Sequence, residues 1–328
     1  MRVLIKGAGV AGLTVALELA RRGIEVDIVE RAGAVATGAS GLAGGMLAPW
    51  CERESADEMV LTLGRTAADW WEEALPGQVI RKGTLVVAAD RDTGELTRFA
   101  GRTSGYDWLD ASGIEALEPA LGGRFRKALF FRDEAHLDPR KALAGLQRVL
   151  IEHGVRFHFG CEVEDVTGSF DRIIDCTGAA AIGATANLRG VRGEMLFLDT
   201  SEIDLSRPVR LLHPRIPLYI APHGDNRFMV GATMIESDDA GPISARSLME
   251  LLNAAYALHP AFGEARVVEM GVGVRPAYPD NLPRITVDGD VISVNGFYRH
   301  GFLLAPAMAG QVVAILTDTI SNRERHNA

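Results

Sequence analysis

The sequence predicts an α/β (α+β) fold in which a parallel-sheet nucleotide-binding unit carries an inserted antiparallel sheet. Three observations predict it. The first thirty residues read strand, glycine turn, helix, strand. Apolar strands recur at 172–175 and 291–295, the first ending in a tight turn and the second leading to a long C-terminal helix. Between them lies a run of strands at 189–198, 210–221 and 227–233 with no long helix to separate them, the pattern of an antiparallel sheet.

The N-terminal segment carries the most information. The apolar run from Arg2 to Lys6 stops at Gly7-Ala-Gly-Val-Ala-Gly12, after which Leu13, Ala16, Leu17 and Ala20 recur at helical spacing. Arg21-Arg-Gly23 closes that helix, and a second apolar run ends on Glu30. This is the dinucleotide-binding fingerprint in its structural context, and it makes the unit Rossmann-like. Gly7 permits the tight turn, Gly9 lets the backbone approach a pyrophosphate, and Gly12 lets the helix pack closely on the strand. Val10 and Ala11 open the helix, whose free N–H groups suit phosphate. Glu30 can accept hydrogen bonds from both ribose hydroxyls, which argues against a 2′-phosphate.

Composition excludes several function classes. The 328 residues amount to about two domains, with 47% hydrophobic and 23% charged residues. A formal net charge of −9 disfavours nucleic acid as a partner. Cys51, Cys161 and Cys176 are odd in number and lack CxxC spacing, so neither a metal site nor a disulfide framework is expected, and a reducing cytoplasm fits. Residues 7–17 resemble a signal-peptide core only superficially, because the glycines sit where the fingerprint needs them and the pattern continues through Glu18. No uncharged apolar stretch has the length of a membrane span. The expectation is a cytoplasmic protein; composition leaves a homo-oligomer open.

In chain order, Arg31 is followed by a stretch of mostly Gly, Ala and Ser from Gly38 to Pro49, including Ser40 and Gly44-Gly-Met46. A second small-residue segment so near Glu30 lets backbone pass close to a bulky ligand, and it favours FAD over NAD. Residues 59–75 predict one amphipathic helix bearing Trp70 and Trp71, ended by Pro76-Gly77. A strand is expected over 82–89, and short elements over 115–119 and 127–131. Asp138-Pro139 starts a helix running to His153. Strands follow over 155–159, 162–166 and 172–175, the last leading to Thr177-Gly178, a turn expected to return to the cofactor. Ser244 caps a helix to Leu258, a strand runs over 267–274 into Arg275-Pro276, and a final helix spans about 303–320. The units divide as 1–80, 133–187 and 268–328 for the cofactor, and 81–132 and 188–267 for the substrate.

These motifs, in this order, resemble the D-amino-acid oxidase family of FAD-dependent oxidoreductases, and within it the glycine oxidases of thiamine pathways. The resemblance covers nearly the whole chain. It rests on Gly7-x-Gly9-x-x-Gly12, Glu30-Arg31, Ala43-Gly-Gly-Met46, Arg192-Gly-Glu194, Tyr219-Ile-Ala-Pro222, Gly231-Ala-Thr233, Gly273-Val-Arg-Pro276 and Tyr298-Arg-His-Gly-Phe-Leu-Leu-Ala-Pro306. The last two are the most specific. One departure is His300, where many relatives carry Asn; it bears on the shape of the site rather than on the cofactor.

The resemblance implies non-covalent FAD. Val10, Ala11, Glu30 and Arg31 would lie on its ADP half, with Val163 against the adenine. Ser40, Gly44, Gly45 and Met46 would line pyrophosphate and flavin, and Phe297, Tyr298, Arg299, His300, Gly301, Phe302 and Leu303 would wrap the isoalloxazine. Arg275 and Arg299 are the expected substrate residues, since a guanidinium forks onto a carboxylate. Tyr219, alternating with Leu218 and Ile220, offers its hydroxyl to the same carboxylate. The implied reaction is oxidation of glycine or another small or D-amino acid to an imine or 2-oxo acid, with ammonia and hydrogen peroxide. Its partners are the amino acid and molecular oxygen, with no nucleic acid and no membrane, and the glycine imine would feed thiazole synthesis. Competing readings are a D-amino-acid or sarcosine-type oxidoreductase or dehydrogenase, and a flavin-binding sensor without turnover.

Overall fold

The structure is a computed structural model that describes residues 1–213 and 218–326, with side chains through residue 317. Two large sheets organise it. The first has six strands in the order Arg284–Asp288, Val291–Asn295, Arg172–Asp175, Arg2–Lys6, Glu25–Glu30 and Arg156–Phe159. All neighbours are parallel except the Arg284–Asp288 edge. Arg2–Lys6 is central, so the carboxyl ends of its strand and of both neighbours, at Lys6, Glu30 and Asp175, reach one edge. In an open parallel sheet that edge is where ligands bind.

The glycine-rich turn delivers the helix Val10–Ala20, which is buried on nearly every side from Val10 to Leu19. It packs against the helices Pro139–Glu152 and Gly301–His326. This explains why its sequence is almost uniformly apolar: a helix covered by the sheet and two other helices presents little surface to water. Asp138 caps the Pro139–Glu152 helix by accepting from the Arg140 and Lys141 amides at 2.9 and 3.1 Å, as the Asp-Pro signature predicts.

The second sheet has nine strands and a separate core. It is antiparallel apart from Thr84–Ala88, which runs parallel to Val209–Leu212. The strand Arg266–Ala277 pairs along Arg189–Asp199 from end to end. Helix Ala245–Leu258, capped by Ser244 Oγ at 3.1 Å from the Ser247 amide, covers one face. Leu218 and Ile220 point into this core and Tyr219 points to the other face, as the alternation predicts.

Three expectations need correction. Residues 59–75 form two helices, Glu58–Gly64 and Ala67–Ala74. The chain breaks beside Gly64, which lies so close to Leu303 that a Cβ there would be 2.7 Å from Leu303 Cγ. Residues 162–166 are not a strand but a short 3₁₀ turn, Val163–Asp165. The Asp165 carboxylate accepts from the Glu162 amide at 2.8 Å, and this local bond replaces a ladder partner. The expected strand over 210–221 is two strands, Val209–Leu212 and Leu218–Pro222, and residues 214–217 lie outside the described residues. Among the described residues no helix is long and apolar enough to cross a membrane.

Candidate active site

A cavity of about 700 Å³ opens at the carboxyl edge of the parallel sheet and extends to the inner face of the larger sheet. Its volume lies within the range of cofactor and ligand sites. Every site residue expected from the sequence lines it except Gly12. Gly12 has another part: a Cβ there would sit 2.0 Å from the Gly7 carbonyl oxygen, so its absence lets the helix close onto the turn. Gly7, at φ +98°, could not carry a side chain either, since a Cβ would lie 2.7 Å from Cys176 O.

At one end of the cavity, Gly9 precedes the first turn of the Val10–Ala20 helix, and the Val10 amide donates to Ser40 Oγ at 3.1 Å. Glu30 accepts from the Ala8 amide at 2.8 Å with Oε2 and from the Ala32 amide at 2.9 Å with Oε1. Each oxygen keeps a further lone pair for a hydroxyl donor. Arg31 is exposed and lies 4.0 Å from Glu162, with Val163 on the wall beside them. Opposite, the Thr177 amide and hydroxyl both donate to Asp175 Oδ1, at 3.0 and 2.6 Å, and Gly178 O accepts from Asn295 at 3.0 Å.

In the middle, Gly44, Gly45 and Met46 form a wall almost without side chains. A Cβ on Gly45 would lie 1.9 Å from Leu137 O, and one on Gly44 would lie 2.4 Å from the Tyr219 ring. The backbone of this segment therefore forms the cavity surface, and Tyr219 is wedged against it.

At the far end, the loop 297–300, which leads into the helix Gly301–His326, is pinned to the larger sheet by the Tyr298 amide, which donates to Pro276 O at 2.9 Å. That bond sets Arg299 and His300 next to the end of Arg275's strand. Arg275 donates from Nη1 to the Thr233 carbonyl at 3.0 Å. Its guanidinium lies across Gly193, where a Cβ would be 2.1 Å from Nη2. Among the described residues no carboxylate forms an ion pair with it. Burial lowers its pKa from the ordinary value, and the neighbouring Arg299 acts in the same direction. Burial also raises the Tyr219 pKa, keeping the phenol neutral and able to donate.

Arg299 is placed differently. Its Nε and Nη2 both donate to Glu52 Oε2, at 2.6 and 2.5 Å, and its Nη1 lies 3.4 Å from Met234 Sδ. His300 Nε2 is 2.9 Å from the same Glu52 oxygen, so it bears the ring proton, and burial holds the imidazole pKa below its usual value. Arg210 stands 3.8 Å from Glu52 and 3.7 Å from Glu54. Burial alone would raise the Glu52 pKa, but Arg299, His300 and Arg210 together hold it far below the carboxylate range. Sequence reasoning missed Glu52 and Arg210. Glu52 sits in the run Cys51-Glu-Arg-Glu54, which reads as ordinary charged surface, and no spacing signal ties it to Arg299.

The donor set suits a flavin dinucleotide. An open helix N-terminus, an acid at the end of the second strand and a glycine wall occupy one continuous cavity. In addition His300 Nδ1 is buried without a protein hydrogen-bond partner among the described residues, a lone acceptor at the cavity's far end.

Comparison with known proteins agrees. Residues 2–315 match the DAO family, described as FAD dependent oxidoreductase, and the chain belongs to that family. It is an FAD-dependent enzyme, and in sequence and fold it is glycine oxidase-like. A candidate thiamine biosynthesis oxidoreductase, ThiO, of Rhizobium etli is 68% identical over 325 residues, covering 99% of each chain. A glycine oxidase of Bacillus licheniformis is 25% identical over 344 residues, covering 95% of this chain and 91% of its own. The crystal structure of glycine oxidase from Geobacillus kaustophilus superposes with a TM-score of 0.80 at 25% identity, covering 97% of this chain and 95% of the other.

Proposed function

We propose that this enzyme oxidises a small amino acid, with glycine the first choice, to its imine, giving glyoxylate and ammonia on hydrolysis and hydrogen peroxide from oxygen. The imine would serve thiazole formation in thiamine biosynthesis, a place suggested by the name of the Rhizobium etli relative. The observation that carries the reading is Arg275: a recessed guanidinium in the cavity wall, bonded to one backbone carbonyl and paired with no carboxylate among the described residues. A recessed guanidinium left without an acid is suited to a ligand that brings one.

Residues 1–80, 133–187 and 268–328 would hold the cofactor, and 81–132 and 188–267 would shape the substrate side, except that the strand Arg266–Ala277, paired along Arg189–Asp199, carries Arg275 on the substrate sheet. On the cofactor side, Glu30 would take the ribose, Gly7 to Ala11 and Ser40 the pyrophosphate, Val163 the adenine, and Gly44 to Met46 with Phe297 to Leu303 the flavin. Bound FAD would supply the acceptor for the hydride from Cα, which carries both electrons, while the amine loses a proton; oxygen would take up the electrons as hydrogen peroxide. The chain's own work is placement. Arg275 fixes the carboxylate by two parallel hydrogen bonds, and the Tyr219 hydroxyl donates to the same group. Tyr219, held against Gly44, limits the room beyond Cα and favours small substrates. With the substrate amine neutral, no side chain need remove a proton from Cα, and orientation carries most of what the protein contributes.

Anaerobic addition of glycine to the purified holoenzyme tests this. Bleaching of the flavin absorbance followed by peroxide formation on admitting air supports an oxidase. Bleaching without oxygen uptake indicates a dehydrogenase, and no bleaching with glycine, sarcosine or D-alanine overturns the amino-acid reading.

A further inference from the structure

Three arginines line the far end of the cavity, and their pairing is unequal. Arg210 faces Glu52 and Glu54 at 3.8 and 3.7 Å. Arg299 gives both Nε and Nη2 to Glu52 Oε2. Of the three, Arg275 alone pairs with no acid among the described residues. Arg275 and Arg299 are close enough to repel, and Tyr219 feels both charges. Left unpaired, Arg299 would be a second carboxylate receptor beside the first.

Glu52 removes that option. Its Oε2 collects three donors, two from Arg299 and one from His300 Nε2. The fork that would grip a ligand carboxylate is thus occupied by a carboxylate of the chain itself. We propose that Glu52 is a specificity-determining residue: by occupying Arg299 it limits the pocket to one carboxylate and excludes amino acids that carry a second acidic group. The idea rests on Arg275 as the anchor for the first carboxylate. The pair serves selectivity, because a second exposed fork beside Arg275 would attract dicarboxylates. Removing one partner of a buried pair frees the other to seek a new counter-charge, and specificity by such an internal occupant is a form of exclusion rather than of added contacts.

The test replaces Glu52 by glutamine in the holoenzyme, keeping shape and a hydrogen-bond acceptor while removing the charge. Acetate and malonate, one and two carboxylates, are titrated against the flavin absorbance, so binding is read without turnover. The affinity ratio of malonate to acetate should rise by about tenfold or more in Glu52→Gln, the fold-change expected when one charged contact becomes available. The efficiency ratio of D-aspartate to glycine should rise in parallel. A ratio within about twofold of wild type, in a variant that retains flavin, overturns the proposal.

Should Glu52→Gln fail to hold flavin, Arg299→Gln decides in the opposite direction. It leaves Glu52 without its main partner, so malonate should weaken relative to acetate by about tenfold through like-charge repulsion, and an unmoved ratio overturns the proposal. A Glu52 with a merely structural role would change both acids alike. The failure of the functional reading looks different: wild type would oxidise no amino acid, while the acetate and malonate titrations would still report on Glu52.

Discussion

Truncating Arg275 to alanine removes the guanidinium from a wall where nothing else can take its place. Arg299 is held by Glu52 and Arg210 by Glu52 and Glu54, so neither cation is free to reach the substrate carboxylate. A charge-assisted bidentate pair in a partly dry pocket is worth roughly 3 to 5 kcal/mol when one partner is truncated, or about 10²- to 10⁴-fold in kcat/KM. Flavin content should stay near wild type, because Arg275 projects from the larger sheet and the glycine turn and helix N-terminus are untouched. Lysine should restore only part of the loss, since a point charge cannot reproduce the fork. The structure adds a companion variant with the charge intact. At Gly193 a Cβ would lie 2.1 Å from Arg275 Nη2, so Gly193→Ala must push the guanidinium off its seat. It should cost about tenfold or more through misplacement alone. The assay is steady-state glycine oxidation with flavin occupancy read by absorbance, and glycolate as a competitive probe of the carboxylate site. If Arg275→Ala keeps full flavin and near-normal efficiency, Arg275 is not the anchor and the substrate assignment collapses with it.

Further expectations follow from other parts of the site. Gly44→Ala would drive a methyl group into the Tyr219 ring, so it should destabilise the holoenzyme by about 1–3 kcal/mol and raise the KM for glycine; unchanged melting and kinetics would show that Tyr219 is not wedged there. Acid precipitation should release the flavin into solution, since none of the three cysteines lies in the segment 297–303; flavin retained on the pellet would refute non-covalent binding. Glu134 is fully buried, its Oε1 accepting from the Cys51 amide at 2.7 Å, and burial pushes its pKa up from 4.5 to about 8. The folded protein then keeps a proton that the unfolded chain loses, so stability falls as pH rises between those two values, by up to about 1.4 kcal/mol per pH unit. Glu134→Gln should flatten that dependence, and melting curves at about pH 5 and about pH 8 showing the wild-type slope in the variant would contradict it.

The cofactor end of the site was legible in the sequence because its geometry is written in backbone requirements. Gly7 and Gly12 answer to contacts of 2.7 and 2.0 Å that any side chain would violate, and those demands recur at fixed spacing whatever surrounds them. Glu30 falls at the end of the second strand for the same reason, the strand's length bringing it to the carboxyl edge. Tyr219 could be placed on one face by alternation alone, and Arg275 by its motif. What alternation could not supply is register. Only the pairing of Arg266–Ala277 with Arg189–Asp199 shows that Gly193 faces Gly273 and that Arg275 lies two residues on, over the bare backbone of the neighbouring strand.

Glu52 was illegible for a deeper reason. A glutamate between Cys51 and Arg53 is the commonest kind of surface residue by pattern, and its meaning depends on Arg299, 247 residues further along the chain. The two are brought together by separate events: the small-residue segment turning back at Gly45 against Leu137, and the loop 297–300 being tied to Pro276 by the Tyr298 amide. Neither event is encoded near the other. A local sequence pattern can identify groups that must meet a cofactor of fixed shape, because the cofactor imposes the spacing. It cannot identify a carboxylate whose role is to neutralise another side chain, because any acid delivered to that place by the fold would serve. Residues that exclude wrong substrates are therefore harder to read from one sequence than residues that hold the right one.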